Sequence, residues 1–232
     1  MSENVVFSLL KSDLGFLKIQ ELGFLINPIH FDPAEFQKDK LDVSFFKPQG
    51  ILLTRRLRYS QLSSFKYFGV GTPVLSSEKP WARRLRLLPQ PFIEIPAFSY
   101  HQFHTLQVHV VPLFDANFWQ SALRLKKEKA YIFKSSGSTI YFAESLSDND
   151  HYRQVASLYK IDLAIIAPRG LAQGLFARPL EPKVEDIAKL FRILLPQKVV
   201  LAWGGDSTLR KQVEEKLQNK IEFINAGSTF RF

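Results

Sequence analysis

The chain has 232 residues, of which 46% are hydrophobic, enough to fill the core of one ordinary domain. Lysine and arginine outnumber aspartate and glutamate by 31 to 22, and the net charge of +9 suits nucleic acid, anionic lipid or an acidic partner without selecting among them. The absence of cysteine excludes disulfides, thiolate nucleophiles and cysteine-ligated metals. No uncharged apolar run is long enough for a membrane span and no secretory signal is evident, so we expect a soluble, cytoplasmic protein.

The first half of the chain is predicted to consist mainly of strands. Apolar runs over residues 5–10, 16–19 and 23–26 are separated by turn-forming residues, a pattern typical of a meander. The apolar run 51–54 predicts a buried strand that delivers the basic segment 55–58 to a sheet edge. Further on, residues 60–67 can start a helix, 73–75 resume extended structure, and 83–142 alternate β-rich runs with proline and glycine. We therefore predict a second set of strands in the middle of the chain.

The last third of the chain alternates helices and strands. Apolar residues recur at helical spacing over 148–159, 184–194 and 209–217, and strands are predicted at 162–166 and 198–202. Strand-rich segments followed by late helices favour an α/β (α+β) fold, with two sheets sandwiched between helices, over an all-β barrel. We find no internal repeat and no linker, so residues 1–232 are predicted to form a single domain.

Several segments, in the right order, resemble the metallo-β-lactamase superfamily, most closely the branch containing L-ascorbate-6-phosphate lactonase and N-acyl-phosphatidylethanolamine phospholipase D. The run 24–28 resembles a strand that leads to an Asp-Pro turn in that branch, with Asn27 in place of the aspartate. The strand that ends at Thr54 enters the segment where the family has His-x-His-x-Asp-His. Residues 162–168 and 182–187 resemble a later strand and a helix start. The resemblance implies a four-layer αββα sandwich of two mixed sheets flanked by helices.

The resemblance also implies that the family's zinc ligands have been replaced. Its enzymes use two zinc ions to polarise the scissile bond and to supply hydroxide near neutral pH. Guanidinium groups are permanently cationic and only donate hydrogen bonds, so arginine at a ligand position repels zinc. The resemblance therefore implies that the chain holds no metal, no other cofactor and no catalytic residue at these positions. The residues at the former ligand positions are Arg56, Arg58, Ser60, Gln61, about Asp115, Glu144 with Ser145, and Pro179.

Two interpretations of Arg56 and Arg58 remain open. The arginines can form internal ion pairs with Asp115 and Glu144, which restores the charge balance that the lost metal ions once provided. We favour this interpretation because a buried charge without a partner is costly. Alternatively, the arginines line a pocket in which spare positive charge binds a phosphate or carboxylate group.

Histidines offer no further metal site in the sequence. Within one extended strand, His101 and His109 would face the same side and His104 the other, so the three are not expected to converge on a metal. His30 and His151 are isolated in the sequence and are assigned no role.

A nucleic-acid surface is a weaker hypothesis. The segment 81–86 joins a tryptophan to Arg83, Arg84 and Arg86, and a second basic segment with a tyrosine lies at 55–59. However, the excess positive charge is spread along the chain, and exposed basic strands also protect sheet edges and keep a protein soluble. We therefore regard nucleic acid as a partner that is not favoured.

These observations predict a non-hydrolytic binding or regulatory protein whose partner, an anionic small molecule or a protein, the sequence does not identify. The alternative is a metal-independent hydrolase of a phosphoester or lactone, with Asp115 or Glu144 as general base and Arg56 or Arg58 stabilising developing negative charge. The lack of a cysteine, or of a serine beside a histidine, as nucleophile disfavours this enzyme. A third hypothesis is a basic nucleic-acid-binding domain that retains only the scaffold.

Overall fold

A computed structural model describes residues 5–11, 14–28, 48–54, 64–76, 89–113, 129–167, 183–202, 207–217 and 220–232. The chain divides into two compact units, one formed by residues 1–96 with 227–232 and the other by residues 97–226. Strands and helices are numbered below in chain order over the described residues. The single domain expected from the sequence stays a prediction.

The first unit contains a seven-stranded mixed sheet in the order β14-β1-β2-β3-β4-β5-β6. Strands β1 to β3 form the predicted antiparallel meander, β14 pairs antiparallel with β1, and β3 to β6 run parallel. The meander predicted from the sequence is confirmed. The strands are β1 (Val5–Lys11), β2 (Leu14–Ile19), β3 (Leu22–Ile26), β4 (Gly50–Leu53), β5 (Val74–Ser76), β6 (Phe92–Glu94) and β14 (Ser228–Arg231).

The centre of this sheet is buried, which explains why β4 has no charged or polar side chain. All four residues of β4 and all three of β5 are buried, as expected for parallel strands that lack a solvent face. A glycine suits the start of β4, because a Cβ atom on Gly50 would lie 3.0 Å from side-chain carbons of both Phe24 and Leu75, closer than an ordinary van der Waals contact. Gly50 therefore allows β3, β4 and β5 to pack closely at this point.

The second unit contains another seven-stranded mixed sheet, in the order β13-β12-β11-β10-β9-β8-β7. Strands β7 to β10 pair antiparallel and β10 to β13 pair parallel. The second set of strands predicted from the sequence is confirmed. The strands are β7 (Tyr100–Phe103), β8 (Leu106–Pro112), β9 (Lys129–Lys134), β10 (Thr139–Ala143), β11 (Leu163–Ile166), β12 (Lys198–Ala202) and β13 (Ile221–Ile224).

Three helices of the described chain belong to the second unit: α1 (Asn149–Leu158), α2 (Val184–Leu194) and α3 (Ser207–Leu217). Their apolar residues, such as Val155, Ile187 and Val213, join one buried cluster with residues of the sheet such as Ala164 and Val199. The three helices predicted from apolar spacing are confirmed. Among the described residues, no helix combines the length and the apolar character needed to cross a membrane.

Each sheet brings the carboxyl ends of several strands to one edge. In the first unit these are the ends of β3, β4, β5 and β6, which all run parallel. In the second unit β8 and β10 both run antiparallel to β9, so β8 points in the same direction as β10 and as β11 to β13. Ligand sites of α/β proteins form at such carboxyl edges. We call these the first and the second carboxyl edge.

The structure corrects the predicted orientation of the histidines. Strands β7 and β8 form a hairpin in which His109 lies opposite Tyr100, whereas His101 lies opposite Val108. Residues directly opposite in an antiparallel pair share a face, so His101 and His109 point to opposite faces of the sheet. The prediction that they share a side was wrong because the turn at His104, where φ is +53°, interrupts the strand.

Candidate functional site

At the first carboxyl edge, two buried polar side chains join the ends of β3 and β4. The Asn27 side-chain amide donates a hydrogen bond from Nδ2 to Thr54 Oγ1 over 2.7 Å, and the Thr54 backbone N–H donates to Asn27 Oδ1 over 3.0 Å. The Asn27 backbone N–H donates to the carbonyl oxygen of Leu52 over 2.9 Å. Both side chains are buried, with 0% of Asn27 and 3% of Thr54 exposed. We call this pair the Asn27–Thr54 clasp.

The clasp depends on asparagine in particular. Asn27 has a φ of +47°, a left-handed conformation that asparagine tolerates better than most residues. Its amide both donates to the hydroxyl and accepts from the backbone of Thr54, which satisfies all three buried groups. The clasp thereby fixes the point at which the chain leaves β4. Arg56 and Arg58 follow two and four residues later in the sequence.

Four of the sequence-predicted site residues follow this point directly. Arg56, Arg58, Ser60 and Gln61 lie outside the residues that the structure describes. What the structure places is the strand end that leads to them, together with the clasp that holds it.

At the second carboxyl edge, Glu144 follows β10 immediately and is 7% exposed, and Ser145 beside it is half-buried. Asp115 and Pro179 lie outside the described residues. The chain leads to Asp115 from the carboxyl end of β8 and to Pro179 from that of β11. The second sheet therefore brings together, at one edge, Glu144 and the strand ends that precede the other two positions.

A buried histidine near this edge connects two strands that are not neighbours. The His151 side chain is fully buried, and its Nδ1 lies 2.9 Å from the carbonyl oxygen of Pro112 at the end of β8. Its Nε2 lies 3.0 Å from the hydroxyl of Tyr141 in β10. A carbonyl oxygen only accepts, so Nδ1 carries the proton and Nε2 accepts from Tyr141. We call this chain of two hydrogen bonds the His151 bridge.

Burial keeps both members of the bridge uncharged. It lowers the pKa of His151 to about 4, against the opposing effects of the Pro112 hydrogen bond and the Asp148 carboxylate. Burial, with a smaller contribution from Tyr152, raises the pKa of Tyr141 well above its ordinary value. At neutral pH the bridge is therefore an imidazole and a phenol, the protonation states that its two hydrogen bonds require.

Sequence reasoning assigned no role to His151, and the structure shows why it was missed. The local signal was Asp148, the N-cap of α1, whose carboxylate accepts from the His151 backbone N–H over 2.8 Å. That signal places His151 in the first turn of a helix but does not indicate which groups its ring nitrogens contact. The partner at Pro112 is 39 residues away along the chain. No sequence spacing connects two residues at that separation.

The described part of the candidate site offers no zinc site. Among the residues that the structure describes, no group of three or more histidine, aspartate or glutamate side chains could hold a metal ion. Of the ligand positions expected from the resemblance, the structure describes Glu144 and Ser145. No chemical step through a metal follows from these residues.

Comparison with known proteins identifies the fold. No protein-family model matches the chain, and no curated protein matches its sequence. The isothiocyanate hydrolase from Delia radicum gut bacteria is similar in structure, with a TM-score of 0.74 and 15% identity over 98% of both chains. The metallo-β-lactamase fold protein YhfI from Bacillus subtilis aligns over 100% of both chains, with a TM-score of 0.68 and 8% identity.

A metallo hydrolase from the archaeon Ignicoccus hospitalis KIN4/I gives a TM-score of 0.65 and 14% identity, over 99% of this chain and 98% of that one. At such identities the likeness shows the fold alone. The predicted fold class, an α/β fold of two mixed sheets with helices, is confirmed.

Proposed function

We propose that this chain, which has the metallo-β-lactamase fold, is a non-hydrolytic relative of the fold's metal-dependent hydrolases and binds an anion without a metal ion. The observation that carries the proposal is the presence of Arg56 and Arg58 where the resemblance expects the first two metal-binding histidines. They follow the buried Asn27–Thr54 clasp by two and four residues. Two guanidiniums that follow a fixed strand end can bind an anion. In the same way, imidazoles that follow such a strand end can bind zinc.

The hydrogen-bonding capacity of arginine supports this proposal even if each arginine also has an internal partner. A guanidinium has five N–H donors, and a single carboxylate engages at most two of them side by side. The remaining donors, with the hydroxyl of Ser60 and the amide of Gln61, are suited to phosphate or carboxylate oxygens. Ion pairing inside the protein and ligand binding are therefore compatible.

The kind of anion is suggested by the finer resemblance. The segments 24–28 and 51–54 and the later matches most resemble the branch of L-ascorbate-6-phosphate lactonase and N-acyl-phosphatidylethanolamine phospholipase D. Both names denote substrates that carry a phosphate group. We therefore propose a phosphate-bearing small molecule as the ligand, with an acidic group of a protein partner as the alternative occupant of the same arginines.

Calorimetric titration with inorganic phosphate and with a simple phosphate monoester tests the proposal. We expect saturable binding that Arg58→Ala weakens by about tenfold or more, the loss typical of a charge-assisted bidentate contact. Arg153→Ala is the matched control, since Arg153 is an exposed arginine that pairs with Asp150 in helix α1. Absence of binding in the wild-type protein, or equal losses in both variants, would contradict the proposal.

One observation supports the metal-independent hydrolase as a second candidate. Glu144 is buried at the second carboxyl edge, where a general base would be shielded from water. Turnover of a phosphodiester, lactone or thioester that is abolished by both Glu144→Gln and Arg58→Ala would favour this enzyme over a binding protein. Salt-sensitive DNA binding that is lost on substitution of Arg83, Arg84 and Arg86, which lie outside the described residues, would instead favour the nucleic-acid hypothesis.

A further inference from the structure

Each of the two described sheets has two outer strands, and among these four only β7 contains no residue that is charged at neutral pH. In the first unit, β14 contains Arg231 and β6 contains Glu94. In the second unit, β13 contains Glu222, whereas β7 consists of Tyr100–Phe103 with the sequence Tyr-His-Gln-Phe. Charged side chains on outer strands prevent these strands from pairing with other chains. Strand β7 therefore lacks a protection that the other three outer strands have.

The backbone of β7 alternates between groups that bond β8 and groups that point away from it. The carbonyl oxygen of Val110 in β8 accepts from the Phe98 N–H over 2.8 Å, and the Val110 N–H donates to the Ser99 carbonyl oxygen over 3.1 Å. Bonded positions recur at every second residue of an antiparallel pair. The next bonded pair is therefore Val108 with His101, which lies opposite it. The residues on either side of His101 direct their backbone groups away from β8.

These outward positions belong to Tyr100 and Gln102. Both residues are exposed, Tyr100 by 56%. In the described part of the chain, their backbone N–H and C=O groups have no hydrogen-bond partner. An outer strand with unpaired N–H and C=O groups is a template on which another strand can pair.

We propose that β7 is the interaction surface for a second copy of this chain, whose own β7 pairs antiparallel with it about a two-fold axis at His101. In this register, Tyr100 of one protomer lies opposite Gln102 of its partner, and the two residues exchange two backbone hydrogen bonds. The two-fold axis repeats that pair, which gives four bonds between the protomers. All the outward backbone groups of Tyr100 and Gln102 are then bonded. This inference does not depend on the proposed function.

Charge favours a second copy as the occupant of this strand. The chain has a net charge of +9, so two copies repel each other over most of their surfaces. Although 23% of the chain is charged, residues 95–113, which include β7 and β8, contain no aspartate, glutamate, lysine or arginine. Two copies therefore meet at this hairpin with little electrostatic repulsion. A strongly charged partner would find no complementary charge on β7.

The small size of the contact sets the expected affinity. Strand β7 has four residues, and the aromatic side chains of Phe98 and Tyr100, which are 51% and 56% exposed, add apolar area beside it. An interface of this kind lies below the roughly 1,000 Å² that a stable dimer buries. We therefore expect a weak dimer, with a dissociation constant of about 100 μM.

Sedimentation velocity of the full chain from about 5 to about 500 μM tests for this dimer, because that range spans the expected dissociation constant. The wild-type protein should be almost entirely monomeric at the lower concentration and mostly dimeric at the higher one. Gln102→Lys places a charge on the outer strand and brings two like charges diagonally across the two-fold axis. We expect it to raise the dissociation constant by about tenfold or more.

Gln212→Lys is the matched control, because it makes the same substitution at an exposed position of helix α3. That helix contacts β13, which lies at the opposite end of the sheet from β7. The control should change the dissociation constant by less than about twofold, since it adds the same charge to the chain away from the interface. A second variant, Gln102→Pro, removes an outward N–H that bonds nothing in the monomer, which an outer strand tolerates. It should keep the circular dichroism spectrum of the wild type and abolish the dimer.

Amide hydrogen exchange locates the contact. The amides of Tyr100 and Gln102 should exchange about threefold more slowly at 500 μM than at 5 μM, because they are bonded only in the dimer. The amide of His101, which bonds β8 in either state, should not depend on concentration. A wild-type protein that stays monomeric at 500 μM would overturn the inference. A dimer that both lysine variants weaken equally, or that leaves the Tyr100 and Gln102 amides unprotected, would overturn it as well.

Discussion

The two units hold their carboxyl edges with different chemistry. In the first, an amide and a hydroxyl join neighbouring strands through Asn27 and Thr54, and neither group titrates in the pH range where proteins fold. In the second, an imidazole and a phenol bridge β8 and β10, and burial lowers the pKa of His151 to about 4. Both arrangements satisfy buried polar groups near a strand end. Only the second depends on a histidine that stays neutral, so acid should weaken the second edge and spare the first.

The largest effect is expected from deleting the bridge. His151→Ala removes a fully buried ring and leaves the Pro112 carbonyl and the Tyr141 hydroxyl without their partner, so we expect the free energy of unfolding to fall by about 4 kcal/mol. Urea denaturation followed by circular dichroism measures this loss. His109→Ala, at a half-buried histidine with a similar tyrosine contact, should cost only about 1 kcal/mol. Equal losses would show that burial does not distinguish the two histidines.

The next effect is the response to acid. A histidine in the unfolded chain takes up a proton near pH 6.5, whereas folded His151 resists protonation down to a pKa of about 4. The unfolded state thus binds more protons between these values, and stability falls as the pH drops through that window by about 3 kcal/mol. Urea denaturation at several pH values measures it. The difference between wild type and His151→Phe isolates this contribution, and equal pH dependence in both proteins would contradict the prediction.

A smaller loss, independent of pH, is expected at the first edge. Asn27→Ala removes two hydrogen bonds to buried Thr54 and puts alanine at a φ of +47°, so we expect a cost of about 2 to 3 kcal/mol. Asn27→Gly separates the two causes, because glycine relieves the backbone strain and leaves only the lost hydrogen bonds. The loss, measured by urea denaturation, should be the same at pH 7 and at pH 5. A loss that grows in acid would show that the first edge titrates as well.

The smallest effect is expected at the partly exposed pair. Tyr159→Phe removes a hydroxyl whose partner His109 can bind water instead, so the free energy of unfolding should fall by only about 0.5 kcal/mol. The pKa of Tyr159 is raised and that of His109 lowered, in both cases mainly by partial burial. If urea denaturation shows that Tyr159→Phe lowers the free energy of unfolding by more than about 2 kcal/mol, the prediction is wrong and the pair behaves as a buried hydrogen bond.

Much of the fold could be predicted from the sequence because its elements have simple local causes. The continuous apolar runs of β4, β11 and β12 reflect strands that are buried in parallel sheets, and the helical spacing of Ile187 and Leu194 reflects a helix with one buried face. The hairpin of β7 and β8 was misread, since the turn at His104 carries little sequence signal of its own.

The candidate site was less predictable. The sequence shows Asn27 as a departure from an Asp-Pro turn, yet its hydrogen bonds to Thr54 span 27 residues and follow only from the pairing of β3 with β4. No residue near His151 in the sequence indicates that its ring bonds to Pro112, which lies 39 residues away, so the sequence predicts no role for it. Contacts between distant residues depend on topology and packing, which spacing along the chain does not encode.

The proposal that the site binds an anion without a metal ion is tested most directly by the metal content of the purified protein. After expression in medium supplemented with zinc, manganese and iron, elemental analysis should find less than about 0.1 equivalent of each metal per chain, because the proposed site contains the guanidiniums of Arg56 and Arg58, which repel cations. Arg153→Ala should give the same value, since Arg153 lies exposed on helix α1. One or two tightly held equivalents per chain in the wild-type protein would contradict a metal-free anion site.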